Sequence, residues 1–419
     1  RVRRWSRLGV GHRHHVDPAE LEPLADYRRR VLSGLSPLTP IQTALSEAHG
    51  SVLAEDVAAP GDIPPFANSA MDGYAVAAST VTAGEPLHVV GEIAAGAAER
   101  PSPGPGQAVR IMTGAPLPAG VDAIVPVELV DERGHEVVLN IQPAAGENVR
   151  DAGESVRAGE TVLTAGRPLG AAEIGMLAAM GVGRVLVHPR PRVAVLATGD
   201  ELIEPGKPLR PGQIHESNSY LLAAQVTEAG AIPFRQPIAV DDRASLKRAF
   251  RGALAQADLL VTSGGVSAGR YDLSKQVLAD MGDVSFSKVG MQPGMPQAFG
   301  TIDGVPVFGL PGNPVSAAVS FEVHVRPAIR RLQGRDDLNR PRLTARLAEG
   351  VRSPEHKVSF LRVTLEWAAD GWAASTTGAQ GSGILRSMVL ADGLAEIPAD
   401  RTSLDAGEQV VVHLLKEMA

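Results

Sequence analysis

No cysteine occurs among the 419 residues, which excludes disulfides, thiolate nucleophiles and cysteine-ligated metal clusters. Positive charge is also in deficit. The 40 lysines and arginines face 47 acids, a formal net charge of −7, so neither nucleic acid nor an anionic membrane surface would be attracted overall. A long apolar run is missing too. The uncharged stretch Gly304 to Phe321 is broken by Pro311 and Pro314 and reads as strand, turn and helix rather than as a membrane span of about 20 residues. There is no internal repeat, low-complexity tract, Ser/His/Asp order, HExxH pair or Walker-A lysine, which leaves hydrolase and P-loop readings without support. Residues 1–16 are expected to form a flexible basic tail. Their five arginines lack the order of a signal peptide, and His12, His14 and His15 read as solvated. The expected compartment is the cytoplasm, with no nucleic-acid and no membrane partner.

What the chain does contain is two glycine loops at strand ends. Ser263-Gly264-Gly265-Val266-Ser267-Ala268-Gly269 follows the apolar run Leu259 to Thr262. Leu310-Pro311-Gly312-Asn313-Pro314 closes the run Val305 to Phe308 and opens a helical pattern from Val315 to Leu332. Glycines let backbone N–H groups approach an oxyanion. Asn313 can cap the helix and Pro314 suits its first position, which would leave amides and the positive dipole end facing a ligand. Taken singly, each loop reads equally well as a tight turn.

Periodicity divides the chain into modules. Leu21, Leu24, Val31 and Leu35 lie near helical spacing, and Thr39-Pro40-Ile41-Gln42 has the pattern of a capped helix ending at Gly50. Short alternating runs punctuated by Gly and Pro follow, and a helical signal returns at Ala171 to Met180. From Arg192, strand and helix patterns alternate, which implies a parallel sheet with ligand loops at the strand C-termini. The expected domains are 17–60 with 151–188 (helical/extended), 61–150 (inserted β module), 189–340 (α/β) and 341–419 (C-terminal β). The fold class is therefore multi-domain α/β plus β. At its centre is a three-layer α/β domain with a mostly parallel sheet, accompanied by an inserted β module, a helical segment and a C-terminal β-barrel-like domain.

Four acids, Asp200, Glu201, Asp241 and Asp272, fall in loops on the same expected sheet edge as the glycine turns. Carboxylates beside a phosphate suggest a divalent cation between them, and hard oxygen ligands suit magnesium. Each acid could equally cap a helix or turn, Asp241-Asp242 above all. A dense segment from Ile63 to Val76 holds Asp72 either at a site or inside a buried elbow.

Taken together, these residues resemble the molybdopterin molybdenumtransferases, the bacterial MoeA-type enzymes and the E domain of gephyrin, over about residues 17 to 419. The resemblance rests on Ser69-Ala70-Met71-Asp72-Gly73-Tyr74-Ala75, Arg110-Ile111-Met112-Thr113-Gly114-Ala115, Thr198-Gly199-Asp200-Glu201, Ser263-Gly264-Gly265-Val266-Ser267 and Pro311-Gly312-Asn313-Pro314-Val315-Ser316. It implies insertion of molybdate into adenylylated molybdopterin with magnesium, releasing AMP and molybdenum cofactor. It also implies a homodimer with a shared active cleft, and contact with molybdopterin adenylyltransferase and acceptor apoenzymes. By the same resemblance, Asp72, Thr113, Glu201, Asp241 and Asp272 are catalytic, with Glu201, Asp241 and Asp272 as metal ligands. Ser263, Gly264, Gly265, Ser267, Lys288, Pro311, Gly312, Asn313, Pro314 and Ser316 would bind substrate. Arg362 would add either a positive contact or a surface salt bridge.

The chain departs from the family's usual pattern at two acids and two bases. Ala67 and Ser155 stand where aspartates are usual, and Met291-Gln292-Pro293-Gly294-Met295-Pro296 lacks both customary lysines. Losing a desolvated charge-assisted contact should weaken oxyanion binding by roughly 1.5–3 kcal/mol. Two other function classes stay in play. One is an adenylyltransferase, which shares the α/β module but not the segment around Asp72 or the flanking β modules. The other is a scaffold that binds pterin or peptide with little turnover.

Overall fold

The computed structural model describes residues 20–98, 100–265 and 273–416. The expected tail, 1–16, lies outside these residues, as do Ser267 and Asp272. The chain divides into two compact units. One is Gln42–His49 with Leu53–Val187, and the other is Arg1–Ile41, Gly50–Val52 and His188–Ala419.

The Gln42–His49 and Leu53–Val187 unit carries the β module as a six-stranded sheet. Its order is Ala123–Pro126, Gly73–Val76, Gln107–Ile111, Pro86–Ile93, Glu136–Leu139, Val130–Arg133. The period of two sends Tyr74, Val76 and Ala108 into one core cluster and Ala75, Val109 and Ile111 into another, so the sheet is covered on both faces. The expected helix at Ala171 is present as Ala171–Ala179, and it buries Leu177 with Leu169, Met180, Val185 and Val187. The helix expected from Thr39 to Gly50 is not. That stretch is the strand Ile41–Ala44 followed by one 3₁₀ turn, Leu45–Glu47. β-branched Ile41 and Thr43 favour an extended chain, and sheet pairing beside Arg184–His188 overrides the local capping signal.

The other unit is built on a six-stranded sheet. Its strands are β1 (Arg192–Ala197), β2 (Ile232–Arg235), β3 (Leu259–Ser263), β4 (Asp283–Lys288), β5 (Pro296–Ile302) and β6 (Val305–Leu310), in the order β2-β1-β3-β6-β5-β4. Pairs β1–β2, β1–β3 and β3–β6 are parallel, while β5 runs antiparallel to both β6 and β4. Alternation again sorts the core. Val193, Val195, Leu259 and Val261 pack with Leu222, Val226, Val315 and Ile329 on one face. Ala194, Leu196 and Leu260 pack with Leu246, Phe250, Ala253 and Val277 on the other. This gives the expected three layers. At Gly300 an added Cβ would lie 1.9 Å from the Asp283 carbonyl oxygen on β4, so glycine is required for that close strand approach.

Five further strands, β7 (Arg342–Leu347), β8 (Val358–Ala368), β9 (Gly371–Thr376), β10 (Gly393–Ile397) and β11 (Gln409–Leu414), close on themselves in the order β8-β9-β7-β11-β10, with β10 returning to β8. Closure removes exposed edges. The loop strand Met291–Gln292 pairs in parallel with Val358 and Ser359 of β8, which ties the α/β sheet to this barrel. Among the described residues, no helix is long and apolar enough to cross a membrane.

Candidate functional site

β1, β3 and β6 end in register, with Ala197 beside Ser263 and Ser263 beside Leu310. The three loops that follow therefore leave the same sheet edge. Thr198 N–H donates to the Ser263 carbonyl (3.3 Å), and Gly264 N–H donates to the Leu310 carbonyl (3.1 Å). Gly264 has φ +90, and a Cβ there would lie 2.9 Å from the Thr198 carbonyl oxygen. Gly264→Ala is expected to destabilise the protein by about 1–2 kcal/mol through positive-φ strain. It should also push the Thr198 and Ser263 loops apart, and chemical denaturation with amide-exchange mapping would check both effects.

One residue that sequence reading missed holds these loops together. Asn218 Nδ2 donates to Ser263 Oγ (2.7 Å) and to the Gly312 carbonyl (2.7 Å). Asn218 opens the helix Asn218–Glu228 and is nine-tenths buried. Its only sequence signal was its place before the apolar run of that helix.

Pro314 occupies the first position of helix Pro314–Ser320, as expected. Asn313 sits at the N-cap position but makes no capping bond. Its Nδ2 donates instead to Ser382 Oγ (3.1 Å), and Val315 N–H donates to the Ser382 carbonyl (3.1 Å). A loop that follows β9 thus covers part of the expected amide cradle. Ser316 is buried in the same turn.

The acids gather on the neighbouring loops. Asp241 N–H donates to Asp200 Oδ1 (3.1 Å). Burial, followed by the negative charges of Asp200 and Glu201, pushes the Asp241 carboxyl above its ordinary value. The carboxylate of Glu201 folds back over Gly199, where an added Cβ would meet Glu201 Oε2 at 2.6 Å. In the Asp241-Asp242 pair the two readings separate. Asp242 is the helix cap, accepting from Ser245 N–H (2.9 Å), and Asp241 faces the other acids.

Lys288 lies at the end of β4, two strands beyond β6, with its amine in an ion pair with Glu20. Arg362 is not in a surface salt bridge. It is 1% exposed, Nε donates to Ser387 Oγ (3.2 Å) and one terminal nitrogen donates to the Phe360 carbonyl (3.2 Å), while the other, Nη2, has no partner among the described residues. Burial lowers its guanidinium to about 10. Beside it is a cavity of about 240 Å³ lined by Gln292, Pro293, Phe360, Arg362, Thr376 and Gln380. Arg352 lines the same cavity, which mixes polar with apolar walls, and a buried cation without an acid partner beside such a space is suited to an anion.

Asp72 belongs to the other unit, and it is exposed at the end of an elbow rather than buried within one. The elbow is fixed by its own bonds: Ser69 Oγ donates to the Met71 carbonyl (2.5 Å), and Gly114 N–H donates to the Ser69 carbonyl (2.8 Å). Asp72 Oδ1 accepts from Thr113 N–H (2.7 Å) and Thr113 Oγ1 (2.8 Å), and these two bonds hold its carboxyl below the usual range. Thr113→Val, which keeps the N–H and loses the hydroxyl, is expected to raise the Asp72 pKa part-way to its ordinary value in an NMR titration. An unchanged titration would mean that the hydroxyl bond contributes nothing. Near Gly114, Phe66, Asn68, Arg150 and Ser155 line an open cavity of about 370 Å³, so one departure from the family pattern falls in this pocket.

Three family models cover most of the chain: the MoeA N-terminal region (domain I and II) at residues 22–181, a probable molybdopterin binding domain at 194–331, and the MoeA C-terminal region (domain IV) at 344–415. The chain is 43% identical over 403 residues to molybdopterin molybdenumtransferase 2 of Mycobacterium tuberculosis, covering 94% of this chain and 99% of the relative. It is 37% identical to the molybdopterin molybdenumtransferase of Haemophilus influenzae, covering 88% and 94% respectively. Among solved structures, a molybdopterin biosynthesis MoeA protein from Pyrococcus horikoshii is similar at a TM-score of 0.81 and 35% identity, covering 95% of this chain and all of that one.

Proposed function

The chain belongs to the MoeA family of molybdopterin molybdenumtransferases, and on that footing we propose that it inserts molybdate into adenylylated molybdopterin, releasing AMP and molybdenum cofactor. The observation that carries this reading is the convergence of the Ser263-Gly264 loop, the Pro311-Gly312 loop and the Asp200, Glu201 and Asp241 carboxylates on one sheet edge. Ser263, Gly264, Gly265 and Gly312 are suited to hold the pterin phosphate, because glycine backbones admit an oxyanion closely. Molybdate is assigned to the Arg362 cavity. There the unpartnered guanidinium nitrogen supplies charge and Gln292 supplies a neutral amide.

Asp241 is raised by burial and then by the charges of Asp200 and Glu201, and a magnesium ion there would relieve that repulsion; among the described residues no three such side chains are grouped to hold a metal, so substrate oxygens would have to complete its shell. Magnesium bound by Glu201 and Asp241, with Asp272 as a further ligand, would polarise the phosphoanhydride. We further infer a cytoplasmic homodimer in which a second copy supplies Asp72 and Thr113. The test is incubation of the full chain with adenylylated molybdopterin, magnesium and molybdate. AMP release with reconstitution of an apo-molybdoenzyme is expected, and pterin binding without AMP release would instead favour a scaffold.

A further inference from the structure

Between Glu201 and Glu216 the chain leaves the sheet edge and returns as two short parallel strands, Leu202–Ile203 and Ile214–His215. Its base is closed by backbone bonds from Ile214 N–H to the Glu201 carbonyl (2.9 Å) and from Glu216 N–H to the Ile203 carbonyl (2.8 Å). Apolar packing contributes little, since Leu209 and Ile214 are 45% and 55% exposed. A segment with so few buried contacts opens easily unless something else holds it.

Arg235, the last residue of β2, supplies that hold. Its two terminal nitrogens donate to Glu204 Oε1 (3.0 Å) and Glu204 Oε2 (3.2 Å). They also reach Tyr220 Oη (3.0 Å) and Ser219 Oγ (3.3 Å). Tyr220 donates its own hydroxyl to Glu204 Oε2 (2.8 Å), and the guanidinium lies 4.0 Å from the Tyr220 ring centroid. Ser219 in turn donates N–H and Oγ to the buried Glu216 carboxylate (2.8 and 2.5 Å). Asn218, one of the two residues between them in this turn, binds Ser263 and Gly312. Hydrogen bonds to Arg235, then Tyr220, hold the Glu204 carboxyl below its ordinary value.

We propose that Arg235 is a positioning residue. Through Glu204, Tyr220 and Ser219 it clamps the 202–215 excursion, and with it Asp200 and Glu201, onto the helix whose Asn218 holds both glycine loops. The acidic loop and the phosphate loops are thereby kept in fixed relation. A lysine could supply the charge but not the planar fork that meets two carboxylate oxygens, a phenol and a hydroxyl together. The inference rests on the reading of this edge as the molybdenum-insertion site, but the clamp itself is measurable without turnover.

The test compares Arg235→Ala, Arg235→Lys, Glu204→Ala and the Arg235→Ala/Glu204→Ala double variant by hydrogen exchange and by AMP-release kinetics. Arg243→Ala, which breaks the exposed pair with Asp280, is the control. In Arg235→Ala, amides 201–216 are expected to exchange roughly two- to fivefold faster, the range for a partly exposed ion pair. The melting temperature should hold, and kcat should fall about tenfold with KM for the pterin nearly constant. Arg235→Lys should lie between wild type and Arg235→Ala, and the double variant should be no worse than either single one. Unchanged exchange, additive effects, or faster exchange with kcat intact would each overturn the proposal. A wild-type protein that releases no AMP would remove the functional reading, and exchange alone would then decide whether the clamp exists.

Discussion

Glu201→Gln is expected to abolish AMP release, lowering it by roughly 100-fold or more, the size of loss when one electrostatic group is removed from a reacting site. Because the side chain is exposed and lies over a glycine, the substitution should leave the fold intact by circular dichroism and size-exclusion chromatography. It carries a second signature. The raised Asp241 carboxyl disfavours the folded state once it ionises. That cost is absent below the unfolded value of 3.8, grows as pH rises toward the folded value, and is fully present above it. Neutralising Glu201 removes one of the two carboxylates facing Asp241, so the Asp241 pKa should fall and stability near neutral pH should rise slightly. Wild-type AMP release in this variant would take Glu201 out of the mechanism.

The second large effect is expected from restoring charge beside Arg362. Gln292 lines the Arg362 cavity and is exposed at its mouth, and half-buried Met295 flanks the same loop. The cavity is lined by buried Arg362 and exposed, solvent-screened Arg352 but by no lysine, so the molybdate requirement should be high. Gln292→Lys with Met295→Lys should lower the molybdate concentration for half-maximal AMP release by about tenfold, the low end for charge-assisted contacts that are partly solvated. The gain should shrink as salt is added, because exposed charges are screened over about 10 Å at 0.1 M. An unchanged or raised requirement would mean that these side chains do not face the oxyanion, leaving Met295 as a packing residue.

Where local pattern and tertiary demand agree, the sequence by itself determined the outcome. Continuous apolar runs at Val193 to Leu196 and Leu259 to Val261 specify a sheet buried on both faces, and the glycines that follow these runs specify where the loops leave it. Pro314 specifies a helix start, since its fixed φ and missing N–H suit the first turn. Even the placing of Asp200, Glu201 and Asp241 on one edge followed from strand order in an α/β fold.

Interactions between residues far apart in the chain were decided only by the tertiary structure. Thr39 to Gly50 carries a capping signal, yet becomes strand because pairing beside Arg184–His188 satisfies its backbone better than one isolated turn could. Asn313 looks like a cap, but Ser382, 69 residues away, takes its amide. Arg362 reads as either a positive contact or a surface salt bridge until β8 places it with Phe360 on the face opposite the barrel core of Leu361 and Val363, where it is buried with no acid partner among the described residues. The roles of Asn218 and Arg235 lie in bonds spanning 94 and 31 residues. Such pairings leave no local periodicity or motif, because the free energy that selects them is realised only after the chain has closed those loops.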